Sequence, residues 1–199
     1  MSQIKERTLV LLKPDAVQRG LIGEIISRFE RTGLKFVAFK FLISSREQCI
    51  THYNKDDAWF LKKGNRIIED LKAQGLPVEK DAMEYGRGII ETLVSFMTAG
   101  PILAVVIEGN QSVAIVTKIT GSTEPVTSDV GTIRGDLTVD SYSHSTFQNR
   151  AVRNLIHCSE SPEEAEREIK VWFDADEIIN YKTAQEQILY AADLSGILE

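Results

Sequence analysis

The chain has 199 residues, 43% of them hydrophobic, and a formal net charge of −6. That is enough apolar material for one domain with a full core, and the acidic balance excludes a protein that coats nucleic acid, leaving room only for a compact anion site built from a few Lys and Arg. The two cysteines, Cys49 and Cys158, lie far apart without zinc-like spacing, so both read as reduced packing residues of a cytoplasmic protein. No apolar run approaches a membrane span, and the polar start Met1 to Glu6 does not read as a targeting peptide.

In chain order, Thr8-Leu9-Val10-Leu11-Leu12 predicts a buried strand stopped by Lys13-Pro14-Asp15, which leaves Lys13 at a strand tip. Ile22, Ile25, Ile26 and Phe29 repeat at helical spacing up to Gly33. Val37, Phe39, Phe41 and Ile43 alternate with Phe36, Ala38, Lys40 and Leu42 as a second strand. Ser45 with Gln48 caps a short helix through Tyr53. Residues 54–84 read as an inserted helix and loop, with Gly64, Gly75 and Pro77 around Ile67, Ile68 and Leu71. Helical spacing resumes at Ile89, Leu93, Phe96 and Met97 and ends at Gly100-Pro101. Ile102 to Ile107 is apolar throughout, as in a strand covered on both faces. Asn110 is placed to cap the next helix, in which Val113, Val116 and Thr120 share a side. A hydroxyl- and glycine-rich loop over 121–135 and an irregular piece over 137–148 follow.

Asn154 to Cys158 reads as a short strand with Leu155 and His157 on one face and Ile156 and Cys158 on the other. Ser161, with Pro162 in the first turn and Glu164 three residues on, opens a helix. Its apolar stripe is Ala165, Ile169 and Trp172, and Glu168 falls inside it. A buried carboxylate costs several kcal/mol, on the order of a lost charged hydrogen bond, unless a donor meets it, and the donors nearest in sequence are Ser159 and His157. A carboxylate that takes the N–H of one imidazole nitrogen leaves the other free as nucleophile or base; a histidine that only hydrogen-bonds in the core fits the same octet. Without the 54–84 insertion the order is strand, helix, strand, strand, helix, strand, the split βαβ or ferredoxin-like α+β fold, with a four-stranded antiparallel sheet covered by helices. Residues 1–199 are expected to form one domain, with insertions at about 54–84 and 137–148 and a C-terminal extension over 174–199 that packs back as a last short helix.

Thr123, the glycine-flanked backbone N–H groups around it, and Arg134 suit phosphate oxygens. With a tautomer-fixed histidine they suggest phosphoryl transfer through a phosphohistidine. Lys13-Pro14-Asp15-Ala16, His52-Tyr53, Gly100-Pro101, Glu108-Gly109, Gly121-Ser122-Thr123, Gly131-Thr132-Ile133-Arg134-Gly135-Asp136 and Arg153-Asn154-Leu155-Ile156-His157 occur in one order, and on these blocks the chain resembles the nucleoside diphosphate kinase family from Glu6 to Phe173. The resemblance implies ping-pong transfer of the terminal phosphate of a nucleoside triphosphate to a nucleoside diphosphate. His157 is then the nucleophile, Glu168 its orienting acid, Ser159 the support of Glu168, and Tyr53 the residue packed beside the imidazole. Lys13, Asn154, Thr123 and Arg134 meet ribose and phosphates. Ile90 and Val94 clamp the base when the count runs back from Gly100-Pro101, whereas a count forward from Tyr53 selects Phe60. Thr117 stands where the family has a second phosphate-binding arginine, with Lys118 one position along; Lys118 or a cation from an insertion takes over, or nucleotide binding is weaker. Mg2+ is expected to arrive on the nucleotide phosphates, with no protein metal site. A homo-oligomer, a hexamer first, is implied as well, with no membrane and no dedicated nucleic-acid partner. Two other readings compete: a nucleotide-binding regulator that kept the fold without turnover, and a plain oligomerisation module.

Overall fold

The computed structural model describes residues 5–191 and 193; most of the polar start, and residues 192 and 194–199 of the C-terminal extension, lie outside them. The described elements are β1 (Glu6–Leu12), α1 (Pro14–Gln18), α2 (Ile22–Glu30), β2 (Lys35–Leu42), α3 (Arg46–His52), α4 (Asp57–Ala73), α5 (Ala82–Met97), β3 (Ile102–Gly109), α6 (Ser112–Thr120), α7 (Ile133–Leu137), α8 (Tyr142–Phe147), β4 (Ile156–Cys158), α9 (Pro162–Trp172) and α10 (Ala184–Tyr190). Four strands form one sheet in the order β2-β3-β1-β4, every pair antiparallel. This is the split βαβ arrangement expected from the element order.

The apolar runs of β1 and β3 divide by residue parity, because side chains alternate across a strand. Leu9, Leu11, Ala104 and Val106 join Cys49, Val94, Met97 and Trp172 from α3, α5 and α9 on one face. Val10, Leu12, Val105 and Ile107 join Ala16, Ile25, Phe29, Val116 and Ile133 from α1, α2, α6 and α7 on the other. β3 is buried at all its positions, as its unbroken apolar sequence requires. At the edge, β2 carries a bulge between Phe36 and Ala38, and the Val37 carbonyl accepts the Ile179 N–H at 2.8 Å. Beyond the bulge Phe39 and Phe41 are 53% and 60% exposed.

The insertion differs from its sequence reading. Gly64 lies inside α4, a 17-residue helix, and α5 begins at Ala82, well before the regular apolar spacing at Ile89. Both helix starts are capped, Asp56 accepting from the Trp59 N–H and Asp81 from the Glu84 N–H. Close packing of the hairpin explains the glycine: a Cβ on Gly64 would stand 1.7 Å from the Ala82 carbonyl oxygen, and one on Gly86 2.2 Å from that of Phe60. Asn110 does not cap α6; Gln111 does so in a left-handed conformation without a side-chain bond. Glu6 supplies what the cap lacks, its carboxylate accepting the Val113 N–H at 2.8 Å. Residues 137–148 contain a helix of their own, α8, capped by Ser141. The tail folds back as expected: Lys35 donates to the Tyr181 carbonyl and to Glu186, both at 2.7 Å.

Candidate active site

β4 is three residues long, and its register opposite β1 pairs Leu11 with His157 and Leu12 with Ile156. The alternation expected over 154–158 fails at Leu155. That residue has φ +66°, and the Ile156 N–H closes a three-residue turn on the Asn154 carbonyl at 2.7 Å. Leu155 and Ile156 therefore enter the same core cluster. Positive φ is costly for a leucine and persists only where surrounding bonds enforce it. Here Asp15 Oδ2 accepts the Leu155 N–H at 3.0 Å, and the Leu155 carbonyl accepts the Lys13 N–H at 2.8 Å. The turn sets His157 on the α3–α5–α9 face at the sheet end, its side chain 19% exposed.

Glu168 rises to meet it from α9, whose start is fixed by Ser161 accepting the Glu164 N–H. The Glu164 carboxylate does not complete a capping box but pairs with Lys55 at 2.9 Å. Glu168 Oε2 lies 3.0 Å from His157 Nε2 and accepts the Ser159 hydroxyl at 2.7 Å. Burial opposes its ionisation, yet His157, His52 and Ser159 together hold its pKa at about 2. An ionised carboxylate makes Nε2 the protonated nitrogen and leaves the lone pair on Nδ1. Ser159 is itself placed by β1, its hydroxyl accepting the Leu9 N–H at 3.4 Å.

His52, whose role the sequence alone does not announce, is the third member of this layer. It is 1% exposed, and its ring stands edge-to-face with His157 at 4.4 Å between centroids. Trp172 Nε1–H donates to its Nδ1 at 3.3 Å, and Arg167 donates to the Thr51 and His52 carbonyls at the end of α3. Burial, followed by the proximity of His157, pushes the His52 pKa well down. Tyr53 packs against His52 at 4.7 Å and lies 6.4 Å from His157, and burial pushes its phenol pKa up.

At the same end of the sheet Lys13 is 5% exposed and donates to Asn154 Oδ1 at 2.7 Å, while Asn154 Nδ2 donates to the Thr123 carbonyl at 2.7 Å. Burial, followed by the charge of Arg134, lowers the Lys13 pKa to about 8. Arg134 braces the turn: its guanidinium donates to the carbonyls of Asn154, Gly121 and Ile156 at 3.2, 2.9 and 2.6 Å. Of its five N–H groups two remain for a ligand. Thr123 is exposed above this floor. Thr117 is exposed too, 3.9 Å from Cys158 Sγ, with Lys118 exposed beside it. Burial raises the Cys158 thiol pKa, which fits a packing residue and not a nucleophile.

The expected base clamp is not assembled as read. Val94 is 1% exposed and packs in the core with Met97 and Leu9, so it offers no face to a base; its i,i+4 spacing from Ile90 does not carry it to the surface because α5 turns that side toward the sheet. Ile90 is partly buried against the same cluster, and Phe60 is intermediate in exposure on α4. The two insertions meet across this wall, Arg66 of α4 lying 5.5 Å from the ring centroid of Tyr142 in α8. A cavity of about 200 Å³ lined by Arg66, Asp70, Gln74, Glu124 and Tyr142 sits beneath that contact.

Among the described residues, His52, His157 and Glu168 are the one group of three with metal-ligating atoms within 4.8 Å of one another. Two of those side chains already share hydrogen bonds, and a hard ion such as Mg2+ wants several oxygens. No helix of the described residues is long and apolar enough to cross a membrane. A buried acid fixing one nitrogen of an imidazole, with a lysine at the adjoining strand end and an arginine of α7 bonded to the start of β4, is the layout of an enzyme that handles a phosphoryl group on histidine.

Comparison with known proteins narrows that class. The nucleoside diphosphate kinase family model matches residues 6–69 and 62–178. A nucleoside diphosphate kinase of Pyrobaculum aerophilum is 45% identical over 179 residues, covering 87% of this chain and 98% of its own, and that of Borreliella burgdorferi is 36% identical over 181 residues, covering 91% and 95%. A crystal structure of an NDP kinase from P. aerophilum superposes with TM-score 0.85 at 42% identity over 88% of this chain and all of that one. A transition-state mimic of the B. burgdorferi enzyme with bound vanadate and ADP gives 0.77 at 35% identity, covering 94% and 98%. The chain belongs to the nucleoside diphosphate kinase family.

Proposed function

We propose that this protein is a nucleoside diphosphate kinase that transfers the terminal phosphate of a nucleoside triphosphate, ATP first, to a nucleoside diphosphate by a ping-pong route through His157. The observation that carries the reading is the 3.0 Å contact of His157 Nε2 with the buried, ionised Glu168. In the first half-reaction the Nδ1 lone pair forms the N–P bond as the bond from phosphorus to the bridging oxygen breaks, and the diphosphate leaves with that electron pair. The ring then carries positive charge, which Glu168 offsets through Nε2–H. The second half-reaction is the reverse toward a different diphosphate.

Lys13, Asn154, Thr123 and the two free N–H groups of Arg134 receive ribose and phosphate oxygens, Tyr53 lines the imidazole, and Ile90 or Phe60 touches the base. Mg2+ would come bound to the nucleotide phosphates, where it would offset their charge. We place the protein in the cytoplasm, which suits its two free cysteines. A homo-oligomer, a hexamer first, is supported by the β2 edge, where Phe39, Phe41 and Ile43 are exposed, because such a strand edge is a template for a second copy. Sedimentation of the wild type should give an oligomer and of Phe41→Glu a smaller species; two monomeric samples rule the oligomer out.

The activity itself is tested by incubating the protein with ATP labelled at the terminal phosphate and then chasing with GDP. Acid-labile label on the protein that moves to GDP is the expected result. Nucleotide binding without labelling would instead identify a regulator that kept the fold, a reading favoured only by Thr117 and the insertions.

A further inference from the structure

An indole N–H can only donate, so the 3.3 Å contact from Trp172 Nε1 to His52 Nδ1 fixes which nitrogen of His52 holds the lone pair. Its proton is therefore on Nε2. That Nε2 is buried and has no hydrogen-bond partner among the described residues. An unpaired buried donor is destabilising, so its place against the nucleophile calls for an acceptor that is not always there. The two imidazoles converge on one acid: Glu168 Oε1 lies 3.8 Å from His52 Nδ1 and Oε2 lies 3.0 Å from His157 Nε2. Nε2 of His52 and Nδ1 of His157 are the nitrogens that this contact leaves over, in rings whose centroids stand 4.4 Å apart.

We propose that His52 is a further catalytic residue, whose Nε2–H, held in that tautomer by Trp172, donates to an oxygen of the phosphoryl group while it is on His157. The donor is already aimed and buried in the free enzyme, so it does not have to reorient when charge develops on the phosphoryl oxygens. Phosphorylation supplies acceptors and satisfies it. His52 thus favours the phosphorylated state over the free one. The inference rests on His157 being the phosphorylated residue, and the wild-type control separates the two: a wild type that takes no label ends the functional reading, whereas a labelled wild type leaves His52 to be judged by its variants.

Three substitutions divide the roles of the ring. His52→Asn keeps an acceptor near Nδ1 for Trp172 and loses the donor; His52→Gln places an amide N–H near the position of Nε2; His52→Phe keeps the ring shape alone. In single-turnover labelling, His52→Asn and His52→Phe should slow phosphorylation about 10-fold or more, with KM for ATP within about twofold of wild type, and shorten the lifetime of the phosphoenzyme. His52→Gln should recover at least half of the loss on a logarithmic scale. Equal impairment by Asn and Gln would mean packing and overturn the donor role, as would wild-type rates in Asn. If a variant does not fold, 15N spectra of the wild-type imidazoles decide: Nε2–H on His52 in the free enzyme with a changed Nε2 resonance on phosphorylation supports the proposal, and Nδ1–H or an unchanged signal overturns it.

Discussion

Asp15 holds Leu155 in its left-handed turn, its Oδ2 accepting the Leu155 N–H at 3.0 Å across 140 residues of sequence. The other carboxylate oxygen accepts the Ala16 N–H at 3.0 Å, so one side chain ties the start of α1 to the turn that aims His157. Asp15→Ala leaves a buried N–H unpaired beside a strained residue, a loss of about 1–3 kcal/mol. Thermal unfolding should shift down by roughly 2–4 °C per kcal/mol, and labelling of His157 should slow. Asp15→Asn, which keeps an acceptor, should recover most of both. An unchanged melting temperature and labelling rate in Asp15→Ala would show that the turn holds itself.

Lys13 loses its charge at unusually low pH because burial, with Arg134 nearby, brings its pKa to about 8. The free enzyme therefore binds phosphate less well above that pH, and kcat/KM for ATP should fall toward a tenfold loss per pH unit beyond it. The stability effect runs the other way: a depressed lysine pKa disfavours folding while the group is protonated, so this group's penalty is full below about 8 and is lifted as pH rises toward the unfolded value of 10.5. Lys13→Met should lower kcat/KM at neutral pH and flatten the alkaline limb. A limb that persists unchanged in Lys13→Met belongs to another group.

Glu168 contributes in the opposite direction. With a folded pKa of about 2 against 4.5 for the ordinary group, its stabilisation is present above 4.5 and is lost as pH falls from there through 2. Denaturant midpoints measured across that window should fall less steeply in Glu168→Gln than in the wild type. The same substitution keeps an acceptor for Nε2–H and removes the charge that offsets the phosphorylated ring, so labelling should slow by up to about 10²-fold. Parallel acid profiles in the two proteins would deny Glu168 its share.

Thr117 is exposed beside Cys158, where a guanidinium would add a cation to those of Lys13 and Arg134. Thr117→Arg should tighten ADP binding by about 3- to 10-fold, in calorimetry at fixed ionic strength, as one partly exposed charge-assisted bond would. No change would mean that Lys118 or a cation of the insertions already serves the phosphates.

Much of the site is legible in the sequence because misfits mark it: Glu168 breaks an apolar stripe, and Lys13 ends an apolar strand. The split βαβ fold follows from the order of strands and helices once the 54–84 insertion is set aside, and the observed sheet has that topology. What could not be read was set by distant contacts. Leu155 is not a glycine, so nothing local announces its positive φ; Asp15 and Lys13 impose it. His52 ends a short helix, and only Trp172, 120 positions later, reveals its tautomer. Val94 shares spacing with Ile90, but the sheet beneath α5 decides which of them is covered. Arg134 reads as a ligand for phosphate, and its three bonds to carbonyls make it a brace as well.

The central claim is that one nitrogen of His157 carries the phosphoryl group, and phosphorus NMR of the protein after ATP treatment and nucleotide removal tests it most directly. The account predicts one acid-labile, base-stable phosphoimidazole resonance assigned to Nδ1, absent in His157→Ala and discharged by GDP. A phosphoimidazole that survives in His157→Ala, or one bonded at Nε2 where Glu168 should stand, would contradict it.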